Sequence, residues 1–303
     1  MDLASLLTEA RNPLTDHIDE LPTLDMLRLI SDEDRKVVAA VTATIPDVAK
    51  AIDAIATRFN QGGRLFYIGA GTSGRLGVLD ASEIPPTFSV PPTLVQGLIA
   101  GGDSALRKSS ESSEDSPEQG AADLIAAGFG TSTSGNVVQD TLVGIAASGR
   151  TPYVLGALAH ARKIGALTIA IACVPNSPIA EAADIAITPL SGPEVITGST
   201  RLKAGTATKL VLNMLSTGVM IKTGAIYGNL MVNLQPTNAK LVDRAQRIIM
   251  AATGIDQPTA AELLKKSGSV KTAIVMQKLN VDRPTAEAAL SIHHGNLSAL
   301  LRS

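Results

Sequence analysis

The chain has 303 residues, of which 45% are hydrophobic and 18% charged, with a formal net charge of -2. A chain of this length can bury a sizeable core in one or two domains. Its basic residues do not cluster on one face or tail, which argues against a nucleic-acid partner or a membrane partner and leaves small molecules or a second copy.

The start of the chain, MDLASLLTEARNPLTDHIDE, carries acids from Asp2 onward and has no apolar segment after a basic stretch, so we expect no signal peptide. The single cysteine, Cys173, excludes an internal disulfide and makes the cytoplasm the simplest compartment. Cys173 ends an apolar run, which predicts a packed core thiol. The four histidines lack acid or cysteine neighbours at metal-ligand spacing, so we expect no metal site. We also expect no cofactor.

The chain is predicted to begin with helices, because residues 1 to about 63 keep apolar residues at helical spacing with an interruption at Pro46. Short apolar runs then alternate with loops or alanine-rich helical stretches, and these runs are 65–70, 93–99, 142–147, 167–172 and 184–188. Such alternation predicts an α/β fold with a doubly wound, mainly parallel sheet that is covered on both faces. A long helix is expected from about residue 200.

From about residue 236 the sequence pattern changes and predicts a small helical module. We predict an N-terminal helical segment at 1–50, a central α/β domain at 51–235 and the C-terminal module at 236–303. The module repeats DQPTAAE from Asp256 and DRPTAEA from Asp282. An acid ahead of Pro-Thr-Ala is typical of a helix N-terminus, so a repeated capping device is favoured over a binding motif. The polar stretch FGTSTSGN at 129–136 is predicted to be a flexible surface loop.

The first predicted strand runs into GAGTSG, Gly69 to Gly74, which satisfies the GxGxxG pattern of dinucleotide-binding loops. A dinucleotide site also needs an acid about 20 residues further on, at the end of the second strand. Here the second strand, in TLVQGLIAGGD, ends in glycines. The pattern alone is therefore weak evidence for a dinucleotide.

A second loop of the same chemistry follows a later strand in LVGIAASGRTP, residues 142–152. Hydroxyls and open backbone N–H groups at two helix N-termini favour one phosphate site, and a sugar phosphate fits it. Helix capping explains either loop alone but explains the matched pair poorly. The candidate phosphate-binding residues are Thr72, Ser73, Gly74, Ser148, Gly149 and Thr151.

Long stretches of the chain, including GAGTSGRLGVLDASEIPPTF, GIAASGRTPYVLGAL and GPEVITGSTRLKAGTATKLVLNMLST, resemble the sugar isomerase (SIS) domain family. The resemblance covers nearly the whole chain and is closest to the N-acetylmuramic acid 6-phosphate etherases. It implies a flavodoxin-like SIS sandwich with a C-terminal module similar to a ubiquitin-associated bundle. It also implies a cytoplasmic homodimer that acts as a carbon-oxygen lyase, releasing D-lactate and N-acetylglucosamine 6-phosphate in cell-wall amino sugar recycling.

Cleavage of such an ether needs a base for the proton at C2 and an acid for the departing oxygen, with no need for a metal. The resemblance implies that Glu83, in LDASEIPPTF, is the acid and that Glu114, in SSESSEDSPE, is the base. The residues alone do not rank Glu114 above Glu111, Asp115 or Glu118, because acid-serine runs are usually solvated loops.

Two features surround these carboxylates. Pro85 and Pro86 are expected to stop the helix that carries Glu83. Ser112 and Ser113 stand where family members generally carry pairs such as Gly-Ala or Asn-Ala. Serine is small enough to keep the backbone path, so we expect activity to survive.

The stretch PEVITGSTRLKAGTATK is expected to supply more of the pocket, through Glu194, Ser199, Thr200 and Lys203. Ser199 and Thr200 are predicted at the start of the long helix, with Lys203 one turn in. Lys203 could face an anionic group of the substrate or could be a solvated helix lysine, and Glu194 could be a pocket carboxylate or a loop charge. Arg75 and Arg150 could clamp phosphate or form structural ion pairs, and they rank below the hydroxyls.

Two other functions fit the same scaffold. An aldose-ketose isomerase would use the same C2 deprotonation but release no lactate. A sugar-phosphate-binding regulatory protein would release no product. A repressor would need a basic helix-turn-helix segment, and residues 1–63 are not basic. A glucokinase regulator has two copies of the domain, whereas this chain has room for one. Both observations favour the enzyme.

Overall fold

The computed structural model describes residues 7–108, 111–134 and 137–302, without the side chains of Glu111 and Ser112. The strands are β1 (Leu65–Gly69), β2 (Val95–Ile99), β3 (Thr133–Ser134), β4 (Val137–Val138), β5 (Thr141–Ile145), β6 (Leu167–Ile171) and β7 (Ile185–Ile187). The α-helices are α1 (Thr23–Thr42), α2 (Ile45–Phe59), α3 (Gly71–Phe88), α4 (Pro117–Ala126), α5 (Pro152–Lys163), α6 (Pro178–Ala182), α7 (Lys203–Lys222), α8 (Ala239–Thr253), α9 (Gln257–Ser267), α10 (Val270–Leu279), α11 (Arg283–Ile292) and α12 (Leu297–Leu300).

The main sheet has the strand order β2-β1-β5-β6-β7, and each neighbouring pair is parallel. The five predicted apolar runs therefore form the sheet, and the predicted α/β class is confirmed. From β1 the chain passes to β2 on one side, and β5 lies on the other side. This reversal of strand order is the point at which open α/β sheets bind ligands, beyond the carboxyl ends of the strands.

Helices cover both faces of the sheet. Glycines allow two of these helices, α3 and α5, to lie close to the strands. A Cβ atom on Gly77 of α3 would lie 2.9 Å from the Cβ of Tyr67. On the opposite face, a Cβ on Gly144 of β5 would lie 2.7 Å from Cγ1 of Val154 in α5. The α5 face carries a buried core that includes Phe66 of β1. Successive residues of a strand point to opposite faces, so β1 contributes to both layers.

The chain divides into two compact units that differ from the predicted boundaries. One unit holds residues 1–82 and 92–216, and the other holds 83–91 and 217–303. The predicted boundary between residues 50 and 51 falls inside α2, whose buried face belongs with the sheet unit. Pro46 does not interrupt this helix but stands in its first turn, where its missing N–H is not needed. Of the helices described, none is both long and apolar enough to cross a membrane.

The C-terminal helices form their own core, with buried residues such as Ile249, Ile274 and Leu290. The repeated acids cap two of these helices as predicted. Asp256 accepts a hydrogen bond from the backbone N–H of Thr259 at 3.0 Å, and Asp282 accepts one from Thr285 at 3.1 Å. Hydrogen bonds from the side chains of Thr259 and Thr285, with a smaller contribution from these backbone N–H groups, lower the pKa of the two capping carboxyls.

Two local predictions were wrong. The segment predicted as a loop at 129–136 contributes Thr133–Ser134 to an antiparallel pair with Val137–Val138, while residues 135 and 136 lie outside the described set. Helix α3 also continues through Pro85 and Pro86 to Phe88. The fixed φ of proline is compatible with helical backbone, and the N–H of Ser89 closes the last turn on the carbonyl of Pro85 at 2.8 Å.

Candidate functional site

The two hydroxyl loops lie side by side because their strands are neighbours. Gly69, the last residue of β1, pairs in register with Ile145, the last residue of β5. Adjacent strands are about 4.8 Å apart, so residues 70–74 and 146–151 leave the same edge of the sheet together. The structure therefore brings together the two loops that the sequence predicted to form one phosphate site.

The first loop is a tight turn between β1 and α3, with no space for a side chain at Gly74. Gly71 begins α3 with a φ of +51°. A Cβ on Gly74 would lie 2.7 Å from the carbonyl oxygen of Gly69, closer than real Cβ contacts. Thr72 and Ser73 occupy the first turn of α3 and are half-buried. Their N–H groups are among those that a helix leaves without an intrahelical acceptor.

The second loop is fixed by the segment that follows β6. The N–H of Cys173 donates to the carbonyl of Ala147 at 2.9 Å, and the N–H of Ile179 donates to the carbonyl of Gly149 at 3.0 Å. Thr151 is the N-cap residue of α5, but its side chain makes no capping hydrogen bond. The half-buried Ser148 precedes Gly149, which has a φ of +70°. This loop therefore offers two hydroxyls on a rigid backbone.

The hydroxyls of both loops are available to a ligand. Those of Thr72, Ser73, Ser148 and Thr151 make no hydrogen bond to another described residue. Serine and threonine hydroxyls can donate one hydrogen bond and accept two. Together with backbone N–H groups at two helix N-termini, they form an arrangement suited to phosphate.

A third segment approaches the first loop. A Cβ on Gly205 of α7 would lie 3.5 Å from Cγ2 of Thr72, an ordinary van der Waals contact. Ser199 and Thr200 are half-buried in the turn just before α7. The helix begins at Lys203, so these hydroxyl residues precede it and do not form its first turn as predicted.

Lys203 and Glu194 are both buried. Neither alternative predicted for Lys203, a position facing the substrate or a position in solvent, included a buried lysine. The Lys203 ammonium donates to Oε2 of Glu33 at 2.6 Å, and the lysine is only 1% exposed. Glu194 accepts the backbone N–H groups of Lys203 at 2.9 Å and Ala204 at 2.8 Å. Glu194 is thus the cap of α7. Sequence reasoning missed Glu33, which lies 170 positions before Lys203 and has no motif around it.

Glu114 belongs to the sheet unit and lies near the second loop. It ends a short 3-10 turn, Glu111–Glu114, that packs against α5. Glycines allow the following helix α4 to approach α5 closely: a Cβ on Gly156 would lie 1.9 Å from the carbonyl oxygen of Pro117. Glu114 is exposed, and the turn that it ends lies close to α5.

Glu83 is exposed on α3, ten residues beyond Ser73, and belongs to the second compact unit. Glu114 belongs to the same compact unit as the hydroxyl loops. Arg75 has a structural role, since its guanidinium donates to the carbonyls of Ala105 at 2.8 Å and Leu106 at 3.1 Å. Arg150 is half-buried and also has an interaction partner.

A cavity of about 630 Å³ lies on the Glu114 side of the sheet unit. It is lined by residues at the end of β2 and along α4, and it includes Ser113, the neighbour of Glu114. Thr72, Ser73 and the second loop do not line it. The cavity adds space beside the candidate base rather than over the hydroxyl loops.

Cys173 is a core thiol, as predicted. It is 1% exposed, and its Sγ lies 3.7 Å from the carbonyl oxygen of Ala204. Burial raises the pKa of the thiol to about 12, with a smaller opposing effect from a hydrogen bond with Thr208. A thiol that stays protonated at neutral pH is a poor nucleophile.

Comparison with protein families gives two overlapping matches. Residues 47–162 match the glucokinase regulatory protein N-terminal SIS domain, and residues 137–218 match the SIS domain. The first match covers both loops, and the second match covers loop 146–151. A solved phosphoheptose isomerase from Francisella tularensis is similar at 19% identity, with a TM-score of 0.48 over 66% of this chain and 98% of that chain.

Curated relatives match along the whole chain. An N-acetylmuramic acid 6-phosphate etherase from Cronobacter sakazakii is 55% identical over 100% of both chains. An etherase of the same name from Photorhabdus laumondii is 53% identical over 97% of this chain and 96% of that one. Identity at this level over full length is far above what a shared fold alone requires. The chain belongs to the N-acetylmuramic acid 6-phosphate etherase family of SIS-domain proteins.

Proposed function

We propose that this protein cleaves the D-lactyl ether of N-acetylmuramic acid 6-phosphate with water, giving N-acetylglucosamine 6-phosphate and D-lactate in cell-wall amino sugar recycling. The observation that carries the proposal is 55% identity over the full length to a relative named as this etherase. The paired loops support it, because their hydroxyls and helix N-termini suit a sugar phosphate.

The proposed reaction is an elimination followed by a hydration. Opening of the sugar ring exposes an aldehyde that acidifies the proton at C2, and Glu114 removes that proton. The C3–O bond breaks, and its electron pair leaves on the lactate oxygen, which Glu83 protonates. Water then adds across the new C2=C3 double bond, with hydroxide at C3 and a proton at C2. Only water is consumed, so the steps balance without an oxidant or a cofactor.

The proposed site places the phosphate between the two loops. Thr72, Ser73 and Gly74 would hold it from one side, and Ser148, Gly149 and Thr151 from the other. Ser199 and Thr200 would add hydroxyls from the turn before α7. Glu194 and Lys203 remain proposed pocket residues, acting at the start of α7 from buried positions.

We also propose that the protein works as a cytoplasmic homodimer in which the partner supplies part of each site. The resemblance to the etherase family is what supports a dimer with pocket residues donated across its interface. Two-fold symmetric dimers present the same patch from both subunits, so each dimer would hold two such sites.

The test is lactate release from purified protein with N-acetylmuramic acid 6-phosphate, followed enzymatically and by mass spectrometry of the sugar product. We expect equal amounts of D-lactate and N-acetylglucosamine 6-phosphate. The same sugar without phosphate is the matched control and should react far more slowly. A ketose product without lactate would instead identify an isomerase, and no product with tight sugar-phosphate binding would identify a sensor.

A further inference from the structure

A buried acid-base pair joins the N-terminal region to the candidate site. Oε2 of Glu33, on α1, lies 2.6 Å from Nζ of Lys203, the first residue of α7. Glu33 is 2% exposed and Lys203 is 1% exposed. A pair buried to this extent loses much hydration, so it is weak evidence for stability by itself and needs another explanation.

Glu33 is held by more than Lys203. The side-chain amide of Asn12 donates to the same Oε2 at 2.9 Å, and Lys36 donates to Oε1. Burial alone would raise the pKa of Glu33, but the hydrogen bonds from Lys203, Lys36 and Asn12 hold that pKa below its ordinary value. Glu33 therefore stays ionised at neutral pH and keeps a fixed geometry.

The same N-terminal region fastens the loop that precedes α7. The hydroxyl of Thr15 donates to the carbonyl of Val195 at 2.9 Å. Next to Val195, Glu194 accepts the N–H groups of Lys203 and Ala204 with its two carboxylate oxygens. The first turn of α7 is thus held twice: Glu194 holds its backbone, and Glu33 holds its first side chain.

The position of this turn matters for the phosphate loops. An added Cβ on Gly205, two residues after Lys203, would lie 3.5 Å from Cγ2 of Thr72, so the first turn of α7 lies beside the first loop. A shift of α7 would therefore change the position of Thr200 relative to Thr72. Glu33 itself is buried and fully engaged, so it can act on a ligand only through the elements that it holds.

We propose that Glu33 is a positioning residue for the etherase reaction: through Lys203 it fixes the start of α7 against Thr72, so that the hydroxyls of Thr200 and Thr72 face one substrate phosphate. The inference rests on the proposed function and extends it to the N-terminal region, which the sequence analysis left without a role. Its ligand class is a phosphomonoester of a sugar.

The test compares Glu33→Gln with Asp34→Asn, an exposed carboxylate on the next position of α1. Binding of N-acetylglucosamine 6-phosphate is measured by calorimetry, and kcat and KM are measured for lactate release. For Glu33→Gln we expect ligand affinity to fall about tenfold and KM to rise similarly, because hydrogen bonds to the phosphate are misaligned. We expect kcat to change by less than about threefold. Asp34→Asn should match the wild type, and Glu33→Asp, which keeps the charge, should recover part of the affinity.

A purely structural role is separated by thermal unfolding of the same variants. If Glu33→Gln unfolds at a lower temperature but binds the product with wild-type affinity while folded, the proposal is overturned. If Glu33→Gln does not fold, Thr15→Val takes its place, because it keeps the side-chain shape and removes only the hydroxyl. Weaker product binding by Thr15→Val would support the proposal, and wild-type binding would overturn it.

The outcomes also distinguish this inference from the proposed function. Wild-type protein that binds the sugar phosphate but releases no lactate would contradict the etherase reaction, while the binding comparison would still decide the role of Glu33. Wild-type protein that binds no sugar phosphate would overturn both.

Discussion

A Cβ atom on Gly149 would lie 2.2 Å from the Cβ of Ser177, so loop 146–151 can approach Ser177 this closely only because residue 149 is glycine. Its φ of +70° also lies in the left-handed region that favours glycine. Gly149→Ala should therefore destabilise the protein for two reasons, backbone strain and a steric clash.

Gly62→Ala is the matched control for this substitution. Gly62 has a φ of +84° but nothing within 4 Å of an added Cβ, so it carries the backbone strain without the clash. We expect Gly62→Ala to lower the free energy of unfolding by about 1–2 kcal/mol. Gly149→Ala should lower it by about 1–3 kcal/mol more, because of overpacking. The free energies are measured by urea unfolding. If the two variants lost the same free energy of unfolding, loop 146–151 would be able to move away from the added methyl group without cost.

Removing a loop hydroxyl should weaken substrate binding. We expect Ser73→Ala and Ser148→Ala each to raise KM by about tenfold, the effect of losing one hydrogen bond to a charged group. Ser82→Ala is the control on the same helix, because the exposed Ser82 hydroxyl donates only to the carbonyl of Leu79 at 2.8 Å. Steady-state kinetics decide the question, and unchanged KM values for Ser73→Ala and Ser148→Ala would remove both residues from the phosphate site.

Glu114→Gln should abolish proton abstraction while the pocket stays intact. The expected loss in kcat is about 100-fold to 10,000-fold, the usual contribution of a general base, with little change in KM. Glu118→Gln is the matched control, since Glu118 is exposed and accepts a hydrogen bond from the Ser116 hydroxyl at 3.2 Å. If Glu118→Gln proved as inactive as Glu114→Gln, the base would have to be assigned again within this acidic run.

Mixing two inactive variants tests whether each site is shared between subunits. If Glu83 and Glu114 of one site come from different subunits, a dimer of Glu83→Gln with Glu114→Gln contains one intact site. After unfolding and refolding an equal mixture, we expect roughly a quarter of wild-type activity, because half of the dimers are mixed and each has one working site of two. Activity no higher than that of the separate variants would place both carboxylates of a site on one chain.

The sheet was predictable because its signals are local. Each strand is a short apolar run between turn residues, and strand-helix alternation leaves few ways to connect them. The capping acids Asp256 and Asp282 were predictable for the same reason, since an N-cap is defined within three residues. The pairing of the two loops was predicted from two local motifs of the same chemistry, each a strand followed by hydroxyl residues and a helix.

What the sequence did not predict depends on distant contacts. Nothing near Glu33 or Lys203 indicates that they meet across 170 positions. Lys203 was expected to face solvent or an anionic group of the substrate, whereas it is buried against Glu33. Pro85 and Pro86 were expected to end α3, yet the helix continues through both prolines to Phe88. In both examples the tertiary structure differs from what the residue type alone favours.

The most direct test of the proposed reaction is proton NMR in deuterated water, with purified protein and N-acetylmuramic acid 6-phosphate. It follows lactate release and the C2 proton of the sugar together. We predict that lactate and N-acetylglucosamine 6-phosphate appear at the same rate and that the product carries deuterium at C2, because the hydration step returns a proton from solvent. Lactate release with the original proton retained at C2 would contradict elimination through C2 deprotonation, and with it the role assigned to Glu114.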